Sequence, residues 1–359
     1  MIHHSRFCTQ LIGFGLLTTV LAAVHAAPSV FPTGTTIYHP DKAWSGYTIF
    51  NAAGRDAALI DMNGRELRRW SEIWGYPPRI LPGGYLMGGI RPRPQHLETI
   101  GFAQQDWDGN IVWRYDGTEQ VQTAAGETVS SARQHHDWQR EGNPVGYYAP
   151  GAEALVDRGR TLILAHKNVI KPEISDKLLE DDYIYEISWD GELLWEWLAS
   201  DHVDEFGFSE AARDAIRRSP NYSEERGSGD WIHVNSASYI GPNHWYDSGD
   251  ERFNPANVII SMRQANIVAI IARDGSVVWR IGPDARESDV LSELGQISGQ
   301  HHPHIIPEGL PGAGNLLIFD NGGTAGYGAP SPGAPAGQDI VTRFYSRLLE
   351  LNPVTFEKI

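Results

Sequence analysis

The stretch SGQHHPHIIPEG, residues 298–309, places His301, His302 and His304 within four residues. Imidazole titrates near neutrality, so such a cluster can ligate a metal, relay a proton or act as a nucleophile. Two further stretches carry the same chemistry: RQHHDWQREGNP (133–144), with His135 and His136, and DWIHVNSASY (230–239), with His233 and Asn235. Taken alone, the triplet favours a metal. His302 and His304 are alternate residues on one face of an extended strand, a spacing that zinc sites use. Against this, Pro303 and Pro307 disturb a regular strand, and no carboxylate other than Asp137 is evident beside the histidines.

The elements that must position these residues emerge from a repeat. DWDGNIVWRY (106–115), SWDGELLWEW (188–197) and ARDGSVVWRI (272–281) each carry Asp-Gly, one free residue, two apolar residues, then Trp. Asp-Gly between apolar runs signals a tight β-hairpin, because Gly permits the positive φ the turn needs. DMNGRELRRW (61–70) and LELNPVTFEKI (349–359) are looser copies. A second phrase precedes each hairpin: ILPGGYLMGG (80–89), DRGRTLILAH (157–166), NPANVIISMR (254–263) and GAGNLLIFDN (312–321). These are turns feeding strongly apolar strands, expected to be the innermost ones. Units of roughly 40–50 residues with about four strands each predict an all-β fold, a β-propeller. A β-sandwich is the competing architecture. The segment FGFSEAARDAIRR (206–218) predicts one short helix, and the last phrase is cut short, so closure of the ring is expected to be incomplete.

Each histidine stretch lies just before one of these apolar strands. Equivalent loops of a propeller emerge on one face around a central channel, so His136, His233 and His301 are expected to converge. Arg263 closes the strand NVIISMR and points to the same channel. Asn235, two residues after His233, faces the same side if the chain is extended. His135, His302 and His304 are further candidates for contact with a bound molecule. Trp138, Trp231 and Tyr239 flank the same loops and are candidates to stack on an aromatic ring, although such residues are more often core. His39, His96, His166, His202 and His244 are assigned structural or surface roles.

The blocks HHDWQ (135–139), DWIHVNS (230–236), IISMRQANIVAIIARDGSVVWRIG (259–282) and GQHHPHIIPEG with GNLLIFDNG (299–322) resemble the bacterial arylsulfate sulfotransferases, the family that works without PAPS. The resemblance covers nearly the whole chain after the leader and implies a six-bladed propeller. It implies that His301 is transiently sulfated, that His233, Asn235 and Arg263 are site residues, and that His136 (or His135) joins them. It also implies an aryl sulfate donor, a phenolic or other hydroxyl acceptor, and no cofactor. The chain departs from the family in lacking a separate N-terminal sandwich, in having no cysteine pair, and in carrying His302-Pro303-His304 after the candidate nucleophile.

These residue types suit sulfuryl transfer. A neutral imidazole is a nucleophile near pH 7, and covalent capture on it splits the transfer into two steps with ping-pong kinetics. Arg263 offers donors matched to an oxyanion. His136 and His233 can donate to sulfuryl oxygens or exchange protons with the departing and arriving hydroxyls. Two other readings remain open on the residues alone: a metallohydrolase built on His302 and His304, and a non-catalytic propeller that binds a sulfated or aromatic ligand.

Residues 1–26 predict a secretory leader: Arg6, then the apolar run Leu11 to Val24, then small residues ending at Ala26. The run is shorter than the roughly 18 apolar residues a membrane anchor needs. A periplasmic or extracellular destination is expected, with residues 27–359 forming one propeller domain. The lone cysteine, Cys8, falls in the leader, so no disulfide is expected there. The formal net charge is −16, one unit more negative without Arg6, and no basic run interrupts it. That excludes nucleic acid and anionic membrane surfaces as partners, but leaves small anions.

Overall fold

The computed structural model of the chain describes residues 35, 37–52, 56–90, 98–122, 126–220, 229–327 and 341–359. The predicted leader, Cys8 and His96 lie outside these residues. Strands β1–β3 (Thr48–Asn51, Ala57–Ile60, Glu66–Trp70) form a first antiparallel sheet, and β4–β7 (Ile73–Leu81, Tyr85–Ile90, Gly101–Gln105, Ile111–Tyr115) a second. A small hairpin, β8–β9 (Glu119–Gln122, Thr128–Ser131), leads to the third sheet, β10–β13 (Gln134–Arg140, Thr161–Lys171, Ser175–Ile187, Leu193–Leu198). The fourth is β14–β17 (Val234–Tyr239, Val258–Met262, Ile267–Ile271, Val277–Ile281). In the fifth, β18 and β19 (His301–Ile305, Leu316–Asp320) pair, a hairpin β20–β21 (Gly323–Ala325, Val341–Arg343) branches off, and β22 (Arg347–Leu351) returns beside β19. The fold is a β-propeller with five blades among the described residues, where six were expected.

The predicted helix forms as α1 (Glu210–Arg218), capped by the Ser209 hydroxyl accepting from Ala212 N–H. It tucks Ala212, Ala215 and Ile216 against the third sheet. Among the described residues no helix is long and apolar enough to cross a membrane.

Which strand is innermost differs from the sequence-based expectation. The apolar strands β11, β15 and β19 are the second of each sheet, buried between neighbouring sheets. Every residue of VIISM (258–262) is buried. The first strands β4, β10, β14 and β18 meet one another around the centre, and β10, β14 and β18 are rich in polar residues, as in QHHDWQR. Apolar runs mark the middle of a sheet because both its faces are covered. A strand that lines a polar channel has no such signature.

The repeated Trp joins neighbouring sheets. Trp113 of the second sheet donates its indole N–H to the Trp189 carbonyl in the hairpin turn of the third, at 2.8 Å. Trp195 and Trp197 of the third donate to Arg273 and Gly275 in the turn of the fourth, both at 3.0 Å. Trp279 of the fourth donates to Pro353 beside β22, at 2.8 Å. In the first sheet Trp70 sits edge-on to Trp107 of the second sheet's turn, ring centres 5.6 Å apart. Each Asp-Gly turn places a glycine at positive φ, Gly109, Gly191 and Gly275 among them. In the latter two turns a carbonyl accepts from the Trp of the preceding sheet. Arg140 lies beneath one joint, 4.4 Å and 4.6 Å from the Trp113 and Trp189 rings, and burial lowers its pKa to about 10. Trp279→Phe, which keeps the ring and removes the donor, is expected to cost about 1–2 kcal/mol. Urea unfolding checks this, and an unchanged midpoint would leave the bond without energetic weight.

Candidate active site

The backbone places the site residues through a shared device at the channel end of the sheets. The inner strands β10, β14 and β18 each carry a bulge against their partner, between Gln134 and Trp138, Val234 and Ser236, and His301 and His304. Just before the pairing begins, Arg133, His233 and Gly299 occupy equivalent positions with φ of 48°, 49° and 60°. His136 and His302, inside two of the bulges, have φ of 51° and 48°. A left-handed backbone costs a non-glycine residue about 1–2 kcal/mol. Four of the six such residues among the described ones lie in these three strands or immediately before them. Strain concentrated in this way turns side chains out of the ladder and into the channel.

The histidines therefore do not share one position, contrary to the expectation. His233 alone sits at the start of its strand, His301 follows two residues beyond the equivalent Gly299, and His136 three beyond Arg133. Different lengths of bulged chain bring them together all the same. The opposite strands contribute an equivalent set at their channel ends: His166, Arg263 and Asn321. His166 N–H donates to the Arg133 carbonyl at 3.1 Å, and Arg263 N–H to the His233 carbonyl at 3.0 Å.

His301 is half-buried. Its Nδ1 lies 3.1 Å from the Gly299 carbonyl and 2.7 Å from Asn321 Oδ1. A main-chain carbonyl only accepts, so Nδ1 carries the hydrogen and the Nε2 lone pair is left for other chemistry. Burial pushes the imidazole below its ordinary value of 6.5, and Arg263 and His233 nearby add to this against the bonds from Asn321 and Gly299. The Arg263 guanidinium passes over the loop before His301, where a methyl on Gly299 would stand 3.9 Å from its Nε and Nη2. Asn235 is buried and donates to the Gln300 carbonyl at 2.8 Å, with Ser261 Oγ on the same oxygen at 3.0 Å. Asn235 thus anchors the peptide that carries His301.

His233 donates from Nδ1 to Asp230 Oδ2 in a short bond. Burial opposes ionisation of Asp230, but His233 beside it holds the carboxyl well below the usual range. The rings of His233 and His136 meet edge-to-face, centres 4.7 Å apart. Burial and the neighbouring His233 push His136 well below 6.5. Behind it, His136 Nδ1 and His135 Nδ1 lie 2.9 Å apart, and the His135 ring stacks on His166 at 3.6 Å.

Several expected contacts fall elsewhere. Asp137 points away from the channel: Oδ1 takes Arg79 Nη2 at 2.7 Å and Trp138 N–H at 2.9 Å, and Oδ2 takes Ala237 N–H at 3.0 Å. Trp138 and Trp231 are core residues, their indoles donating to the Pro77 carbonyl and to Asp181. Tyr239 bonds Glu186 through its hydroxyl. His304 is buried with Nε2 on the Tyr147 hydroxyl and Nδ1 at the His302 carbonyl, both at 2.9 Å, so neither nitrogen is left for the zinc-like pairing with His302. Burial lowers His304 and His302 to about 4, with Arg79 adding to the effect on His302.

The sequence reading missed Asp230, Asp182, Glu98, Glu180, Arg133 and Asn321, and it set His166 aside. One signal was present. The phrases ending at His166, Arg263 and Asn321 align end to end, so singling out Arg263 also singles out the other two.

The sequence profile of the family described as Arylsulfotransferase (ASST) matches residues 101–339. The chain belongs to the arylsulfotransferase family. The matched region contains His136, His233, Asn235, Arg263, His301 and Asn321, so the converging polar residues lie inside the family domain. No match was found among curated proteins. Among solved structures, the chain is similar to a protein of unknown function from Bacteroides caccae at 10% identity, covering 88% of this chain and 72% of that one, TM-score 0.39. It is also similar to BamB from Moraxella catarrhalis (11%, 76% of each chain, TM-score 0.25) and to the biofilm matrix protein Bap1 of V. cholerae (12%, 88% and 52%, TM-score 0.27).

Proposed function

We propose that this arylsulfotransferase moves a sulfuryl group from an aryl sulfate to a phenolic or other hydroxyl acceptor through a sulfohistidine at His301. Family membership supports the reaction class. The assignment of the nucleophile rests on one observation: Gly299 O fixes the hydrogen on His301 Nδ1, leaving Nε2 as a lone pair beside Arg263 and His233.

In the first step Nε2 attacks sulfur, the N–S bond forms and the S–O(aryl) bond breaks. The departing phenoxide takes a proton from the His233–Asp230 pair. In the second step the acceptor oxygen attacks sulfur, the N–S bond breaks, and the acceptor's proton returns to that pair. Arg263 balances charge on the sulfuryl oxygens, which changes little in total but shifts along the reaction path. Positioning and fixed donors supply most of the rate for such transfers. Asn235 holds the Gln300 peptide, and so His301, in line.

An aryl sulfate given without acceptor should release a burst of phenol and leave an adduct of about 80 Da on His301, which a phenolic acceptor then discharges. Binding of the donor with no phenol released would overturn the proposal. The pH dependence has a definite sign. The nucleophile works as neutral imidazole, and its pKa in the folded protein lies below the ordinary 6.5. The acidic limb of kcat/KM should therefore fall below pH 6.5. A limb centred above that value in steady-state profiles would exclude His301 as the group reported.

A further inference from the structure

Beneath the sulfuryl site, three adjacent strands of the third sheet each send one polar side chain to a common point. His135 comes from β10, His166 from β11 and Asp182 from β12, and His166 and Asp182 are direct cross-strand partners. One ligating atom of each lies within 4.8 Å of those of the other two. All three residues are at most 1% exposed. His135 Nε2, His166 Nε2 and Asp182 Oδ1 make no hydrogen bond, although His135 Nε2 and Asp182 Oδ1 approach to 3.4 Å. Three orphaned lone-pair-bearing atoms in one buried place contradict the rule that buried polar atoms are satisfied.

The opposite atom of each group, by contrast, is fixed. His166 Nδ1 meets Glu98 at 3.1 Å, His135 Nδ1 meets His136 Nδ1 at 2.9 Å, and Asp182 Oδ2 accepts from Val234 N–H at 3.0 Å. A carboxylate on the far nitrogen of a histidine is the arrangement that orients metal-binding imidazoles. Charge points the same way. Glu98, Glu180, Asp182 and Asp230 are all buried around these rings, and Arg133 pairs with Glu98 at 2.9 Å and approaches Glu180 at 3.8 Å. Four carboxyl groups surround that guanidinium and the two imidazoles. Two ligand atoms about 2.1 Å from a tetrahedral ion stand about 3.4 Å apart, the separation present between His135 and Asp182, while the His135 and His166 rings, stacked at 3.6 Å, splay apart for both to face the ion.

We infer that His135 Nε2, His166 Nε2 and the Asp182 carboxylate bind a divalent first-row transition ion of the zinc class, beside the sulfuryl site and not in it. Two imidazoles with one carboxylate favour zinc or cobalt over calcium or magnesium, which take oxygen ligands. The ion ties β10, β11 and β12 together and holds His136, through His135, against His233. It accepts no sulfuryl oxygen and takes part in no bond change. This inference stands whether or not His301 is the nucleophile.

The test is metal binding, with no turnover involved. Protein stripped with a chelator and checked for native circular dichroism is titrated with Co(II) and then with competing Zn(II). A single equivalent should bind, giving the visible absorption of tetrahedral or five-coordinate cobalt that zinc displaces, and the thermal midpoint should rise. Asp182→Asn and His166→Gln should abolish the spectrum. Glu98→Gln, which loosens only the support of His166, should weaken binding by about 10- to 100-fold, and His304→Gln should leave it unchanged. Folded wild-type protein that binds neither ion would overturn the inference, as would binding that survives in full in a folded Asp182→Asn variant. The wild-type titration decides the matter even if a variant fails to fold.

Discussion

Replacing His301 by asparagine should lower kcat for aryl sulfate turnover by at least about 1,000-fold, the scale on which loss of a covalent nucleophile is felt. The fold should be untouched. His301 is half-buried, and its Nδ1 bonds reach only Gly299, two residues away, and Asn321 on the neighbouring strand. The adduct of about 80 Da that mass spectrometry should show on the wild type should be absent from the variant. Asn321→Ala should give a smaller loss, because the Gly299 carbonyl still holds Nδ1 while the ring gains freedom to turn. An adduct that persists in the His301 variant would move the nucleophile to another residue.

Asp137→Ala is expected to be the most destabilising single change near the site, at about 3–5 kcal/mol. The Asp137 carboxylate satisfies three donors on three sheets: Arg79 of β4, Trp138 of β10 and Ala237 of β14. Burial pushes its pKa upward, and Arg79 with the two N–H groups opposes this. Removing it strands a nearly buried guanidinium that also lies 5.0 Å from the Trp138 ring, together with two main-chain donors. Asp157→Ala, which breaks only an exposed contact with Arg158, should change stability by less than about 0.5 kcal/mol. Urea midpoints compare the two, and equal midpoints would refute the role given to Asp137. Because His136 is its neighbour, the loss should also appear as reduced transfer in whatever fraction remains folded.

The propeller was legible because its hairpins are spelled by local chemistry. Asp-Gly turns and the following Trp recur with a fixed spacing, and the apolar second strands are continuous hydrophobic runs. The innermost strands were not read as strands, since QHHDWQR and HHPHI lack both alternation and apolar length. His136, His233, Arg263 and His301 were identified, and the structure brings them to one end of the sheets. What stayed hidden depends on contacts distant in sequence. Asp230 is recognisable only once the left-handed turn at His233 folds that ring back onto it. Asp182 lies in the apolar strand DDYIYEI, where a carboxylate has no meaning until His135 and His166 are known to face it. Asp137 stood out as the one carboxylate beside the histidines, but successive residues of a strand point to opposite faces, and the bulge turns it toward Arg79.

The indole joints carry a consequence for how such a chain arises. The third and fourth units each supply both a donor, their Trp, and an acceptor, a carbonyl in their own glycine turn. A unit holding both halves of its joint docks onto a copy of itself without further change. Tandem duplication of one such segment would therefore yield neighbours that already fit, with stability that adds unit by unit as in other nearest-neighbour arrays. The histidines could then diverge separately at the channel end, far from the joints that hold the units together.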